Sequence, residues 1–229
     1  MRAVKVEIWR VARLAEADRL GMESLYRRYY EGAPEDGFRR DLSEKDHAIV
    51  LREDGAVVGF STMKLLDIAG RKVLFSGDTV VDASCRNQTG LAGAFGHMMR
   101  RLNEELAEAP DWFLICKGAR TYRFLPTFFK RYVPGRQEDA ELSARLASVA
   151  RAIYPREYDE TAGVLRFGDG KDRLKSDALR MDTESVRFRA LNPNWRRGDE
   201  LCCLAPLSMD NLNRLGHRVI ADVSPEWHD

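Results

Sequence analysis

The stretch of this sequence best suited to chemistry is a run of small residues, Thr89-Gly90-Leu91-Ala92-Gly93. It follows a β-branched segment ending at Val81 and leads into a helical pattern. Glycine is a poor helix former to place at such a start without a reason. The first backbone N–H groups of a helix lack intrahelical partners and lie at the positive end of its dipole. An anion settles there when side chains stay out of its way. Gly90 would permit a tight turn with positive φ. Ala92 and Gly93 would let a diphosphate approach the backbone, and Arg86 would add positive charge at the entrance. The same run also reads as a strand–helix turn whose small residues serve close packing.

Metal and thiol chemistry are not expected. The four cysteines, Cys85, Cys116, Cys202 and Cys203, form no CxxC, and there are only four histidines, so no zinc site is anticipated. Cys202 and Cys203, adjacent on a strand, would point to opposite faces. Nothing beside Cys85 would activate it as a nucleophile. His97 lies off the stripe formed by Leu91, Phe95 and Met98 and reads as structural or exposed. No stretch approaches the roughly 18 apolar residues of a membrane span, and the opening residues carry no apolar leader. A cytoplasmic protein with reduced thiols is the expectation. Lys and Arg number 37 against 36 Asp and Glu, a net charge of +1, which provides no whole-molecule field for nucleic acid or membrane.

The elements that would position the loop follow from periodicity. Val4 to Val11 reads as a strand, and Met22, Leu25, Tyr26 and Tyr29 mark one face of a helix. A short helix spans Phe38 to Leu42. His47–Arg52 and Ala56–Met63 form a hairpin about Asp54-Gly55. Lys72–Val81 is the fourth strand, with Gly77 marking a bulge or a splay. The helix from Leu91 follows, then a buried strand over Trp112–Cys116, then a helix over Phe124–Tyr132 with Pro126 in its first turn. Beyond Pro134-Gly135, a helix is expected over Ala140–Ile153 and strands over Val164–Phe167, Ser185–Leu191 and Glu200–Leu204. A last helix is expected over Met209–Leu215.

The order β-α-α-β-β-β-α-β-α, with a small-residue loop between the fourth strand and the third helix, resembles the GNAT superfamily of acyl-CoA N-acyltransferases. The diphosphate loop of that family reads Arg/Gln-x-x-Gly-x-Gly/Ala at this junction. Asn87-Gln88-Thr89-Gly90-Leu91-Ala92 has the spacing, with Asn87 in the first position and Arg86 one residue early. The resemblance covers about residues 3–135. It implies an α/β (α+β) fold with a mixed, mostly antiparallel central sheet flanked by helices. Residues 1–137 would form the acyl-CoA-binding domain and 138–229 a C-terminal α/β extension. It also implies acetyl-CoA or another acyl-CoA as co-substrate and no metal. Thr79, Val80 and Val81 would meet the pantetheine arm where the fourth strand splays from the fifth. Arg86, Asn87, Gln88, Thr89, Gly90, Leu91 and Ala92 would hold the diphosphate.

Direct transfer to an amine needs a base for the ammonium proton, a donor for the developing oxyanion and a proton for the departing thiolate. Asp78 matches an acid that several members carry three residues before a Val on the fourth strand, and its neighbours Ser76, Gly77 and Thr79 leave room for a substrate. Phe129 stands where the family often has a Tyr acid, so Tyr122 and Tyr132 are the substitute candidates. Tyr26, Arg27, Tyr29 and Tyr30 fall where the early helices of the family border the acceptor. The basic cluster Arg120, Arg123, Lys130 and Arg131 could meet the 3′-phosphate of the cofactor, an anionic substrate or an acidic acyl carrier protein, or be a solvated face. The acceptor would be a small-molecule or peptide amine, with no nucleic acid or membrane partner. A non-catalytic acyl-CoA-binding module and a carrier-protein-dependent N-acyl synthase are the alternative functions.

Overall fold

The computed structural model describes residues 4–32, 34–85, 89–167, 173–175 and 182–229. The chain opens with β1 (Lys5–Arg10), α1 (Glu16–Tyr29), a two-residue β2 (Tyr30–Glu31) and α2 (Gly37–Ser43). β3 (His47–Glu53), β4 (Ala56–Ile68) and β5 (Arg71–Val81) form a meander. Its turns use residues in the left-handed region, Asp54 (φ 49°) with Gly55 (φ 81°) and Ala69 (φ 53°) with Gly70 (φ 77°), the backbone that a tight hairpin requires. α3 (Gly90–Glu105), β6 (Asp111–Cys116) and α4 (Ala119–Phe128) complete the first part. The second part comprises α5 (Ala140–Ile153), β7 (Tyr158–Asp159), β8 (Val164–Leu165), β9 (Arg173–Leu174), α6 (Thr183–Leu191), β10 (Glu200–Pro206), α7 (Arg214–Ala221) and β11 (Glu226–His228).

Nine strands join one sheet in the order β11-β1-β3-β4-β5-β6-β10-β8-β7, and β2 pairs separately with β9. Among the described residues only the β1–β11 and β5–β6 pairs are parallel, so the sheet is mixed and mostly antiparallel, as the resemblance implies. Beyond residue 137 the chain extends that sheet: β10 lies antiparallel to β6 from Leu201↔Cys116 to Pro206↔Asp111. Strand alternation divides the core accordingly. Ile49, Leu51, Met63 and Leu74 face α3 and α4, while Ala48, Val50 and Phe60 face α1 and α2. Farther along, Val73, Phe113 and Leu204 pack beneath α5. Cys202 and Cys203 fall in the cores of opposite faces, as adjacent strand residues must.

Three expectations differ from the structure. Ser185–Leu191 is a helix, not a strand: Asp182 accepts the Ser185 N–H at 3.0 Å as an N-cap, and burial falls on Ser185 and Phe188, three apart, while Val186 is 53% exposed. α4 begins at Ala119, earlier than anticipated, which leaves Pro126 in its last turn. Met209–Asn211 is a single 3-10 turn. The last helix starts after Asn213, whose side chain caps the Gly216 N–H.

Candidate active site

β5 and β6 pair only from Val73↔Asp111 to Ser76↔Leu114. Both strands continue, but among the described residues the ladder between them stops there. The cause is on the other edge of β5. Its register with β4 passes from Met63↔Ser76 to Ser61↔Thr79, so Gly77 and Asp78 together oppose Thr62. Such a bulge bends and twists its strand. A glycine suits it here, because a Cβ on Gly77 would lie 2.6 Å from both Thr62 Oγ1 and Lys45 Cε and would displace those side chains. Past it, β5 stays paired with β4 and leaves β6, opening a split through the sheet.

On the α3–α4 side the split widens into a cleft of about 510 Å³. Thr79, Val80 and Val81 form one wall, Thr89, Leu91 and Ala92 at the start of α3 another, and Trp112, Phe124 and Phe128 line the apolar interior. Arg120 and Arg123 contribute its charge, Arg123 being paired with Asp182 at 2.6 Å, and among the described residues no carboxylate lines it. Thr89 makes no side-chain cap on α3. A cleft with cationic side chains, a helix N-terminus and an apolar interior suits a ligand with anionic groups and an aliphatic arm.

On the opposite face lies a smaller pocket of about 290 Å³ between α2 and α5. Tyr30, Gly77, Thr79, Ile115 and Thr121 line both spaces, so the two meet through the split. The smaller pocket carries four carboxylates, Asp41, Glu44, Asp78 and Glu200, against two cations, Arg40 and Lys117, with aromatic walls from Tyr26, Phe38, Phe75 and Tyr154. Lys117 follows β6 and is shared within the site. Its Nζ is 3.7 Å from Asp78 Oδ1, 3.9 Å from Glu200 Oε1 and 4.8 Å from the centre of the Tyr30 ring. Glu200 is fully buried at the start of β10. Burial, then the Glu200 carboxylate, pushes the Tyr154 hydroxyl above its ordinary pKa of 10, so it stays protonated at neutral pH.

No protein-family model matches the chain, and no curated protein matches it in sequence. N-acyltransferases recur among the solved structures it resembles. A GNAT-family N-acetyltransferase from Escherichia coli in complex with CoA is 18% identical over 56% of this chain and 69% of that one, with a TM-score of 0.42. Glucosamine-6-phosphate N-acetyltransferase from Arabidopsis thaliana is 14% identical over 60% of this chain and 99% of that one, at 0.40. N-acetylglutamate synthase from Neisseria gonorrhoeae, with coenzyme A and N-acetyl-glutamate, is 12% identical over 89% of this chain and 35% of its own length, at 0.43.

The residues singled out from sequence divide into those that reach the split and those that do not. Asp78, Thr79, Val80, Val81, Thr89, Leu91 and Ala92 line one space or the other. Arg86, Asn87 and Gln88 lie outside the described residues. Gly90 is the first helical residue, without a positive φ, and a Cβ there would point inward to Val6 at 3.1 Å. Gly93 does not face the cleft either: its Cβ would fall 2.3 Å from Val223 Cγ2 and 2.7 Å from the Val219 carbonyl oxygen. Gly93 thus packs against α7 and Val223 just beyond it, the close-packing use of these small residues, while Gly90 backs onto β1 and β3.

Tyr122 is fully buried, donating to the Pro134 carbonyl at 2.9 Å and accepting from Arg187 Nε at 3.0 Å. Tyr132 packs against the core of the α3–α4 face. Burial raises the pKa of both hydroxyls, and neither tyrosine lines the split. Much of the basic cluster is engaged within the fold: Arg123 with Asp182 (2.6 Å), Arg131 with Asp139 (2.6 Å) and Lys130 with the Asp210 carbonyl (2.9 Å). His97 holds the carbonyls of Ile220 and Val223 at 3.1 and 2.7 Å, a structural role. Lys117, Tyr154 and Glu200 were missed. A glutamate opening the apolar run Leu201-Cys202-Cys203-Leu204 was the signal for the last, since carboxylates are seldom fully buried without a partner.

Proposed function

We propose that this chain is an acyl-CoA-dependent N-acyltransferase of the GNAT kind, transferring an acetyl or longer acyl group directly to an amine. One observation carries the reading: among the described residues, the split at Gly77–Asp78 joins a cleft whose charged lining is cationic to a pocket rich in carboxylates. An anionic thioester donor suits the first and an amine the second.

The donor would lie with its diphosphate near Leu91, Ala92 and Arg120 and its pantetheine arm along Thr79–Val81, adding to the exposed edge of β5 as a strand would. Its thioester then reaches the junction beside Gly77. The amine enters from the other face as an ammonium and loses a proton to the Asp78 carboxylate. Its nitrogen forms the C–N bond as the C–S bond breaks. The thiolate leaves with the bonding pair and takes a proton from Tyr30, which lines both spaces, and the second proton that the nitrogen gives up as the amide forms returns through solvent to the phenolate. A thiol pKa of about 8.5 makes this departure undemanding. Lys117, between Asp78 and Glu200, keeps the two carboxylates from repelling one another.

Purified protein should be stabilised by acetyl-CoA, by about 2.7 kcal/mol at a hundredfold excess over Kd. Ala92→Glu, which sets a carboxylate in the donor cleft, should abolish that shift. Asp78→Asn should keep it and lower kcat by about 10²- to 10⁴-fold. No acetyl-CoA shift in the parent protein would overturn the reading. Binding without release of free thiol across an amine panel would support the non-catalytic alternative.

A further inference from the structure

Resting on that reading of the split, we infer that the Ser76 hydroxyl is the donor that meets the thioester oxygen during transfer, with Trp112 as the residue that aims it. The reaction needs such a donor, because negative charge develops on the carbonyl oxygen as the nitrogen attacks. Ser76 stands where the split begins. Among the described residues it is the last of β5 to pair with β6, opposite Leu114. It is also the last to pair with β4 before the bulge, opposite Met63. Its backbone is therefore fixed from both sides, and it lines the donor cleft next to Gly77.

Trp112 determines where the hydroxyl proton can go. An indole N–H only donates, whereas a serine hydroxyl both donates and accepts. Trp112 Nε1 donates to Ser76 Oγ at 2.7 Å, which leaves the hydroxyl proton to be placed. Ser76 is 6% exposed, and its hydroxyl makes no other hydrogen bond among the described residues. A buried donor in that state is costly until something accepts from it. A carbonyl oxygen entering the vertex of the split is such an acceptor. Trp112 is itself 4% exposed, and the rings of Phe95, Phe124 and Phe129 surround it with centres at 4.4, 5.8 and 5.5 Å. The hydroxyl is thus oriented before the substrate arrives, as electrostatic stabilisation of a transition state requires.

The other hydroxyls of the cleft lack this combination. Ser61 is bonded to Thr79 at 2.8 Å. Tyr29 is bonded to Asp82 and Ala83, Thr89 and Thr121 are not buried, and Tyr30 serves the thiolate. In the reaction the nitrogen lone pair forms the C–N bond and the carbonyl π pair moves onto oxygen. There the Ser76 O–H strengthens its hydrogen bond without giving up its proton. The pair returns as the C–S bond breaks and sulfur leaves with its bonding electrons.

The test uses acetyl-CoA labelled with ¹³C at the thioester carbonyl. Infrared difference spectra of the bound donor should place its carbonyl band below the position in buffer, and Ser76→Ala should return it toward that position. With hydroxylamine as a small neutral acceptor, Ser76→Ala should lower kcat by about 10²- to 10³-fold, the worth of one oxyanion donor. KM for acetyl-CoA and the shape of the pH profile should not change, and Ser76→Thr should recover most of the rate. Trp112→Phe keeps a ring but not the N–H; it should cost about tenfold in kcat alone and nothing further in the Ser76→Ala background. An equal loss in both backgrounds would overturn the part assigned to Trp112. A parent band at its buffer position would overturn the inference whether or not the variants fold. So would a loss in Ser76→Ala of less than about tenfold in kcat, a loss confined to KM or to thermal stability, or no turnover of hydroxylamine above the solution rate; each leaves the donor site standing. Absence of any CoA-induced thermal shift would overturn both.

Discussion

Replacing Gly96 by alanine tests whether the bare face of α3 exists to seat α7. An ideal Cβ at Gly96 would lie 2.1 Å from Ile220 Cγ1 and 2.5 Å from Ile220 Cδ1, whereas carbon atoms pack at about 3.5–4.0 Å. The helices would have to part by more than an ångström, or Ile220 would have to leave its rotamer. Overpacking of this kind costs about 1–3 kcal/mol, against which Gly→Ala in a helix interior gains about 0.5–1 kcal/mol. A net loss of about 1–2 kcal/mol is expected. Ile220→Ala alone should cost about 2–5 kcal/mol through the cavity it leaves. Because the nearest obstacle at Gly96 is the Ile220 side chain, the double variant should be more stable than the sum of its parts predicts, by about 1–3 kcal/mol. Gly93 supplies the contrast. Its Cβ would also strike the Val219 carbonyl oxygen at 2.7 Å, so Val223→Ala should rescue Gly93→Ala much less. Urea midpoints at constant m measure all of these. Additivity within about 0.5 kcal/mol at the Gly96–Ile220 pair, or stabilisation by Gly96→Ala alone, would refute the packing argument and reopen a ligand role for these glycines.

Two further outcomes bear on residues away from the split. Tyr122→Phe removes a hydroxyl bonded to the Pro134 carbonyl and Arg187. It should cost about 1–3 kcal/mol of stability while leaving the pH profile of turnover unchanged; a lost basic limb would instead restore Tyr122 as the acid. The Glu7 carboxyl would be raised by its burial, but hydrogen bonds from Lys5, Arg52 and Trp9 hold it at about 2 against an ordinary 4.5. Its contribution is therefore whole above pH 4.5 and lost as the pH falls toward 2, about 3 kcal/mol in all. Glu7→Gln should flatten that part of the stability–pH curve, and an unchanged acid slope would show that the carboxyl titrates normally.

The split was legible from sequence because a single residue marks it. Gly77 inside a β-branched strand points to a bulge, and the bulge makes β5 part from β6 at Ser76. The first part of the fold was equally readable, since hairpins announced by Asp54-Gly55 and a helix with an apolar stripe are local patterns. Less readable was a residue type with two uses. Small side chains at the start of α3 suit either an anion or a neighbouring helix, and only the position of Ile220 and Val223, more than 120 residues later, decides for the second at Gly93 and Gly96. In the same way Val186-Arg187-Phe188 alternates as a strand would, and the N-cap at Asp182 outweighs that alternation. Tyr122 and Tyr132 were reasonable acids by chain position, but Tyr122, inside α4, bonds the Pro134 carbonyl, and Tyr132, beyond the end of α4, packs against the core.

The acceptor pocket depends on residues from both parts of the chain, and this is why it escaped a reading of the first part alone. Asp78 and Lys117 come from β5 and the end of β6; Tyr154 ends α5, and Glu200 opens β10. β10 is the immediate neighbour of β6, paired along six residues from Leu201↔Cys116 to Pro206↔Asp111. The strand that covers the far edge of β6 therefore also carries the buried carboxylate to Lys117. Satisfying the hydrogen bonds of an otherwise open sheet edge and closing the pocket are one structural act. α5 adds to it by covering Phe113 and Leu204 while its last turn delivers the Tyr154 hydroxyl. Residues beyond 137 are thus as much a part of the proposed chemistry as the bulge that opens the split.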